Sequence, residues 1–319
     1  MAFMNFGKRT LLAADINLTA GTDIFRDGML RGKAWYVDTN SGSDSRSGLS
    51  WDHAFLTMQE AFDHLTGGDR IYFVGNVTEH LTSPLATAQN VTIIGAGTRP
   101  RHADTHPGGG ERTSATWKDA GTATPMLTLR NSGWVFKNIL FTGNASSTII
   151  TMERNATETA AGEFDASHAQ FIGCRFASGG TAISDTGGCF NVVVEDCIFN
   201  AMTICILGVG NIGYGQSQWH IRNNHFREFT NGVKIVGDGC VVEGNYFTDG
   251  GTPNSTYVLN MNNSTAGQNN FVVNNWFQTA TANFNTPDIV GSATDVWFNT
   301  SIDSFTAGLE SGHEVGNPA

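Results

Sequence analysis

The stretch NVVVEDCIFN, residues 191–200, decides the fold because closely similar phrases recur along the chain. Each phrase has the pattern of a short strand followed by a turn. The other copies are GWVFKNILFTG (133–143), HAQFIGCRFAS (168–178), QWHIRNNHFRE (218–228), GCVVEGNYFTD (239–249) and NNFVVNNWFQT (269–279). Units that return every 20 to 50 residues are typical of a solenoid, in which consecutive repeats stack on one another.

Aligning the copies on their last phenylalanine produces three columns. The first column is aromatic: Phe141, Phe176, Phe199, Phe226, Phe247 and Phe277. The second lies five residues earlier and is apolar: Phe136, Phe171, Val194, Ile221, Val242 and Val272. The third lies two residues before the phenylalanine: Ile139, Cys174, Cys197, Asn224, Asn245 and Asn275. Strands stacked about 4.8 Å apart would superimpose these side chains, and the asparagine amides would form a hydrogen-bonded ladder.

A fourth column lies one residue after the apolar one, and alternation along a strand sends it to the solvent face. Within it, Glu195, Arg222 and Glu243 would be neighbours on successive repeats and form an ion-pair ladder. Further strands are predicted in TICIL (203–207), GVKIV (232–236) and TYVLN (256–260), which gives about three strands per repeat. An antiparallel sandwich is the alternative, but it seldom keeps asparagine and phenylalanine columns in one register.

A helix over residues 51–65 is predicted before the repeats. Ser50 is a suitable N-cap and Gly67 a suitable C-terminal stop. The spacing of its large apolar residues creates one apolar face that could cover the open end of a solenoid. These residues are Trp51, Phe55, Met58, Phe62 and Leu65.

The segment YVDTNSGSDSRSGLSWDHAFLTMQEAFDHLTGGDRIYF (36–73) and the repeats after it resemble right-handed parallel β-helix proteins of the pectate-lyase-like superfamily. The resemblance implies an all-β chain with a single-stranded right-handed parallel β-helix over residues 34–305, including the capping helix. Residues 1–33 would then form an N-terminal arm and residues 306–319 a C-terminal tail. Because that superfamily includes pectin-active enzymes, phage tailspikes and virion surface proteins, it implies a fold rather than a function.

Composition narrows the functional classes. A net charge of -11 without clustered Lys or Arg argues against nucleic acid as a partner. No apolar run approaches the ~18 residues of a membrane span, and the N-terminal apolar run is too short for a secretion signal. The cysteines are Cys174, Cys189, Cys197, Cys205 and Cys240, an odd number without a CxxC pair, so free buried thiols are predicted.

Three groups of residues are candidates for chemistry or binding, and no cofactor is expected. Glu195 and Glu243, with Arg222 between them, could serve as catalytic groups of a polysaccharide-cleaving enzyme, although a surface ion-pair ladder explains them more simply. His102, Asp104 and His106 would face one way on a strand and could bind a metal, but the following proline and glycines favour a flexible loop. Exposed aromatic rings could bind glycans, and the candidates are Trp219, Tyr246 and Trp276.

The arm is rich in apolar residues yet too short for its own core, so it either folds back over the cap or docks on a partner. The residues expected to anchor it are Phe3, Phe6, Leu11, Leu12, Ile24 and Phe25. A protein assembled in a reducing host cytoplasm and released by lysis would keep its thiols free. Together with the resemblance to β-helix virion proteins, this leads us to expect a phage-like virion surface protein, a head decoration or tail component. Other virion proteins would hold it, and it would adhere to a glycan or host surface.

A homotrimer is plausible for such a protein by analogy. Two other functional classes remain open at this point. One is a polysaccharide lyase or hydrolase that depolymerises a capsule, and the other is a glycan-binding module without catalytic activity.

Overall fold

The chain is a right-handed parallel β-helix of the all-β class. A computed structural model describes residues 4–6, 9–11, 32–84, 88–97, 115–121, 125–154, 165–208, 217–249, 257–261, 269–279, 289–290, 296–302 and 313–315. Each winding of the helix, called a coil below, contributes strands to three parallel stacks. The strands of one coil pair in register with the equivalent strands of the coils before and after it.

Stack 1 runs from Ala34–Asp38 through the first half of Arg70–Val77 to Thr92–Gly95, Val135–Lys137, Gln170–Ile172, Val193–Glu195, His220–Arg222 and Val241–Glu243. It continues into the first parts of Phe271–Thr279 and Val296–Ile302. Stack 2 contains four complete strands: Ala115–Lys118, Leu140–Thr142, His225–Arg227 and Tyr246–Asp249. It also contains the first parts of two long strands, Arg175–Asp185 and Ile198–Gly208. The later parts of Arg70–Val77, Phe271–Thr279 and Val296–Ile302 complete it.

Stack 3 contains six complete strands: Leu81–Thr82, Leu127–Leu129, Thr148–Met152, Asn231–Lys234, Leu259–Asn260 and Ile289–Val290. The later parts of Arg175–Asp185 and Ile198–Gly208 belong to it as well. Three short strands per coil were predicted, and the described coils confirm the prediction. The antiparallel sandwich is excluded because the pairs between coils are parallel.

In the six coils from Val135–Lys137 to Phe271–Thr279, the corner between stacks 1 and 2 contains one residue with left-handed backbone geometry. Glycine adopts that geometry without penalty, and Asn and Asp tolerate it better than other residues do. Because the corner has the same length in these six coils, each following side chain keeps its position relative to the core. These corner residues are Asn138, Gly173, Asp196, Asn223, Gly244 and Asn274, with φ between 54° and 63°.

The predicted phenylalanine column is confirmed as a continuous stack inside the helix. Consecutive ring centroids from Phe141 to Phe277 lie 5.1, 4.9, 4.7, 4.6 and 5.0 Å apart, with interplanar angles of 7° to 12°. The apolar column from Phe136 to Val272 is buried as well and pairs in register from coil to coil. Burying a side chain of this kind contributes roughly 1.5–3 kcal/mol, so these columns supply much of the core energy.

The predicted asparagine ladder is also present. The Nδ2 atom of Asn224 donates to Oδ1 of Asn245 at 3.0 Å, and Nδ2 of Asn245 donates to Oδ1 of Asn275 at 2.9 Å. Each amide also donates to a backbone carbonyl of the coil before it, such as that of Val194 at 2.8 Å. Buried amides are tolerated here because each one finds its partners in the neighbouring coils.

The continuous capping helix predicted over residues 51–65 is wrong in its extent. A 3-10 helix covers Trp51–His53, and the α-helix covers only Met58–Asp63 with Thr57, rather than Ser50, as its N-cap. Between them, Phe55 exchanges backbone hydrogen bonds with Tyr36 and Asp38, which removes it from any helix.

This interruption also changes which apolar residues are buried near the end of the solenoid. Trp51 is 41% exposed, whereas Phe55, Met58, Phe62 and Leu65 are buried as predicted. The Phe62 ring packs 5.5 Å from that of Trp134, so the short helix fills the interior at this end.

Two further strand pairs lie outside the parallel stacks. Met4–Phe6 pairs antiparallel with Arg9–Leu11 within the predicted arm, and His313–Val315 pairs antiparallel with part of Val296–Ile302. The second pair shows that the predicted tail contributes a strand. The side chains of the predicted anchoring residues, Phe3 to Phe25, lie outside the described part of the chain. No helix in the described ranges has the length and hydropathy needed to cross a membrane.

Candidate functional site

The predicted charged column lies on the outer face of stack 1. Glu195 pairs in register with Arg222, and Arg222 with Glu243, on three consecutive coils. The guanidinium Nη2 of Arg222 lies 3.0 Å from Oε2 of Glu195, and the arginine side chain is 46% exposed. An exposed ion pair of this kind contributes about 0.2–1 kcal/mol.

The separation of Glu195 and Glu243 along this column can be compared with that of the two carboxylates in a hydrolase. Two strand spacings place the backbones of Glu195 and Glu243 about 9.6 Å apart. An inverting hydrolase needs its carboxylates about 6.5–9.5 Å apart with a water molecule between them. Here the intervening strand carries Arg222, which binds one of the two carboxylates. The arrangement therefore fits a surface ion pair better than an acid and base acting together.

A second outward column, called the aromatic strip below, consists of His225, Tyr246 and Trp276 on stack 2. These residues pair in register on consecutive coils, and their ring centroids lie 5.0 and 6.3 Å apart. Trp276 is 37% exposed, while Thr248 binds the His225 ring at 3.1 Å beside the strip. Aromatic rings next to polar groups on a rigid surface are suited to binding the apolar faces of sugars.

Trp219 was predicted to be exposed, and this prediction is wrong. Its side chain is fully buried, and Nε1 donates a hydrogen bond to the carbonyl oxygen of Cys189 at 2.7 Å. The physical reason is alternation along the strand. Trp219 lies two residues before the inward-facing Ile221, whereas Tyr246 and Trp276 each lie one residue before an inward phenylalanine. Trp219 is thus excluded from the glycan-binding candidates.

A polar cluster around His80 and Asp119 was missed by the sequence analysis. The side chain of Asp119 is 1% exposed, and its Oδ1 lies 3.1 Å from Nε2 of His80. Asn144 donates to Oδ2 of Asp119 at 2.5 Å, and the His80 Nδ1 lies 3.1 Å from the carbonyl oxygen of Pro125. Because both ring nitrogens of His80 are engaged, the cluster is suited to holding the chain segments together rather than to base catalysis. These residues are far apart in sequence and belong to no repeated column, so no sequence signal identifies them.

The Asp119 carboxyl has a lowered pKa. Burial by itself would raise that pKa, but hydrogen bonds from Ser147 and the Gly121 amide, together with His80, outweigh it. This favours the ionised carboxylate in the folded protein.

The cysteines are all free and buried, as predicted. Burial raises the pKa of the Cys189, Cys197 and Cys205 thiols well above the ordinary value, so these groups are neutral near pH 7. His102, Asp104 and His106 lie outside the described residues, and their metal site stays a prediction. In the ranges the structure describes, no group of three or more His, Cys, Asp or Glu side chains could hold a metal ion.

No family model matches the chain, and no curated protein sequence does. Solved structures do match. A rhamnogalacturonan lyase shares 13% identity over 83% of this chain and 87% of the lyase, with a TM-score of 0.40. A pectate lyase variant from Bacillus subtilis shares 10% identity over 84% of this chain and 79% of the lyase, with a TM-score of 0.45.

The ORF18 protein of Geobacillus virus E2 shares 14% identity over 98% of this chain and 69% of that protein, with a TM-score of 0.37. The structural neighbours of this β-helix therefore include a phage protein and pectin-active enzymes. Likeness at these identities concerns the fold alone.

Proposed function

We propose that this chain is a structural component of a phage-like virion surface, a head decoration or tail component, which displays its β-helix for adhesion to a surface glycan. The aromatic strip is the observation that carries the adhesive role. Tyr246 and Trp276 project outward from consecutive coils whose backbones are fixed by parallel pairing. A platform held in this way loses little conformational entropy when a sugar stacks on it.

The cysteines support assembly in a reducing host cytoplasm. All five thiols are free and buried, and in-register coils around them form a core that needs no disulfide. A virion component made inside a cell and exposed only after lysis would have this thiol chemistry. In this proposal the arm, residues 1–33, binds other virion proteins, and the protein acts as a homotrimer.

Glycan binding by the full-length protein tests the adhesive role. Trp276→Ala and Tyr246→Ala should each weaken binding to a glycan identified on an array by roughly tenfold, because each removes one stacking surface. Trp51→Ala is the matched control, since Trp51 is 41% exposed but lies far along the chain from the strip. Equal losses in Trp51→Ala and Trp276→Ala, or a lack of glycan binding by the wild type, would refute the role of the strip.

Attachment to particles tests the anchoring role. Leu11→Asp with Leu12→Asp in the full chain should abolish cosedimentation with purified particles that lack this protein, while circular dichroism of the β-helix stays unchanged. Unchanged attachment of this double variant would show that the arm is not the anchor.

A polysaccharide lyase or hydrolase is the second candidate, because Glu195, Arg222 and Glu243 share one outward column. Charged polysaccharides incubated with the wild type should yield no shorter products. Glu195→Gln and Glu243→Gln are the controls, and turnover that either change abolishes would replace the non-catalytic proposal with an enzymatic one.

A further inference from the structure

Cys174 and Cys197 occupy the same position on consecutive coils. The residues that flank them pair in register, Ile172 with Glu195 before the corner and Arg175 with Ile198 after it. Both side chains point into the helix, and each residue is 1% exposed. The two thiols therefore lie one above the other inside the corner between stacks 1 and 2.

The contacts of the pair fix its geometry. After burial, the neighbouring Cys174 is the next cause of the raised pKa of the Cys197 thiol, as expected for two thiols that lie close together. The Cys197 thiol lies 3.3 Å from the carbonyl oxygen of Phe171, and the Cys174 thiol lies 3.5 Å from that of Phe136. These equivalent contacts place both sulfurs on the same side of their strands, one above the other.

This arrangement meets the distance requirement of a disulfide. Strands in neighbouring coils are about 4.8 Å apart, and disulfides join Cα atoms about 4.4–6.8 Å apart. A bond between the two sulfurs would therefore need little backbone movement.

The other cysteines have no cysteine at the equivalent position of the next coil. The register places Ala182 and Gly232 beside Cys205, and it places Trp219 beside Cys240. Cys189 lies outside the strands, in the segment before stack 1. The stacked arrangement of the coils thus singles out one pair among the five thiols.

We propose that Cys174 and Cys197 form an oxidation site, at which a peroxide converts the thiol pair into a disulfide that joins two consecutive coils. One sulfur attacks a peroxide oxygen, the O–O bond breaks, and a sulfenic acid and water form. The second sulfur then attacks the sulfenic sulfur, the S–O bond breaks, and a second water leaves with the remaining thiol proton. Two electrons pass from the sulfurs to the peroxide, which is fully reduced to water.

Burial makes the rate of this reaction depend on pH. The thiolate is the reactive form, and burial, followed by the nearby Cys174 thiol, raises the pKa of the Cys197 thiol. The pair should therefore react slowly near neutral pH and faster as the pH rises. The inference does not depend on the proposed virion role, because it follows from the packing of the coils.

Hydrogen peroxide added to the full-length folded protein tests the proposal. We expect two of the five thiols to be lost together and non-reducing peptide mapping to find one cross-link, between Cys174 and Cys197. Dithiothreitol should restore both thiols, and the oxidised protein should unfold at a higher temperature than the reduced protein.

Two variants make the experiment specific. Cys205→Ser should keep the cross-link, and Cys197→Asn should lose it while preserving the hydrogen bonds of the corner. The proposal is overturned if all five thiols survive peroxide at alkaline pH, if the cross-link joins another pair, or if Cys197→Asn, which keeps four thiols, still loses two of them to a disulfide.

Discussion

The corner between stacks 1 and 2 is filled differently in the two halves of the β-helix. In the earlier coils the inward corner position holds Ile139, Cys174 and Cys197, and in the later coils it holds asparagine. The backbone follows the same course in both halves, with one left-handed residue at each corner. The comparison shows that the backbone sets the shape of the corner, while the side chain sets how fully its polar groups are satisfied.

The hydrogen bonds show the difference. Asn245 receives two hydrogen bonds on its oxygen from Asn224 and donates from Nδ2 to Asn275 and to the carbonyl of Ile221. Cys197 has only a weak S–H donor, directed to the carbonyl of Phe171. The later coils therefore hold their corner with more and stronger bonds.

The phenylalanine column is present in both halves, so a substitution in it should lower the free energy of unfolding equally in each half. Phe176→Ala in the earlier half and Phe226→Ala in the later half should each lower the free energy of unfolding by about 3–5 kcal/mol, because each creates a large cavity in a stacked core. Urea denaturation with an unchanged m-value would check this. A difference of more than about 2 kcal/mol between the two variants would mean that the halves are not equally packed.

Removal of one ladder amide should affect the later half strongly. Asn245→Ala leaves the Asn224 amide and the Ile221 carbonyl without these partners, so we expect a loss of about 3 kcal/mol in the free energy of unfolding. Cys174→Ala is the matched change in the earlier half and should lower it by about 1 kcal/mol. Similar losses in both variants would contradict the distinction between the two corners.

Alkaline pH should destabilise the protein through its thiols. The pKa of Cys197 is raised in the folded state, so the unfolded chain loses its proton first and binds fewer protons above about pH 9.0. Stability is then complete below that pH and decreases as pH rises, by up to about 1.4 kcal/mol per pH unit for each such thiol. Unfolding free energies from pH 8 to 10.5 should fall less steeply in Cys197→Asn than in the wild type. Equal slopes would show that Cys197 does not titrate in this way.

Extension of the ladder should have the smallest effect. In Cys197→Asn the new amide can accept from the Cys174 amide and donate to the Phe171 carbonyl, replacing a weak donor with a stronger one. We expect a gain of about 1 kcal/mol in the free energy of unfolding near neutral pH. A loss of stability would indicate that the earlier corner lacks the volume for an amide.

Much of the coil structure could be predicted because the same residue types recur at equivalent positions in successive coils. Phe226 and Asn224 each belong to a column of like residues, and a column can be aligned without knowledge of the fold. The short helix was predicted at the right place but too long, because its periodicity does not reveal that Phe55 pairs with the backbone of Val37. The cluster of His80 and Asp119 occurs once, so nothing in the repeat pointed to it.

The sequence by itself determined the parallel stacking of coils, the phenylalanine column and the asparagine ladder. This was possible because strand alternation and repeat spacing are local properties of the sequence, and every coil repeats the same pattern of residues. Only the tertiary structure decided that Trp219 is buried and that His80 contacts Asp119. These outcomes depend on contacts between coils more than 20 residues apart in sequence, and such contacts exist only once the chain has wound onto itself.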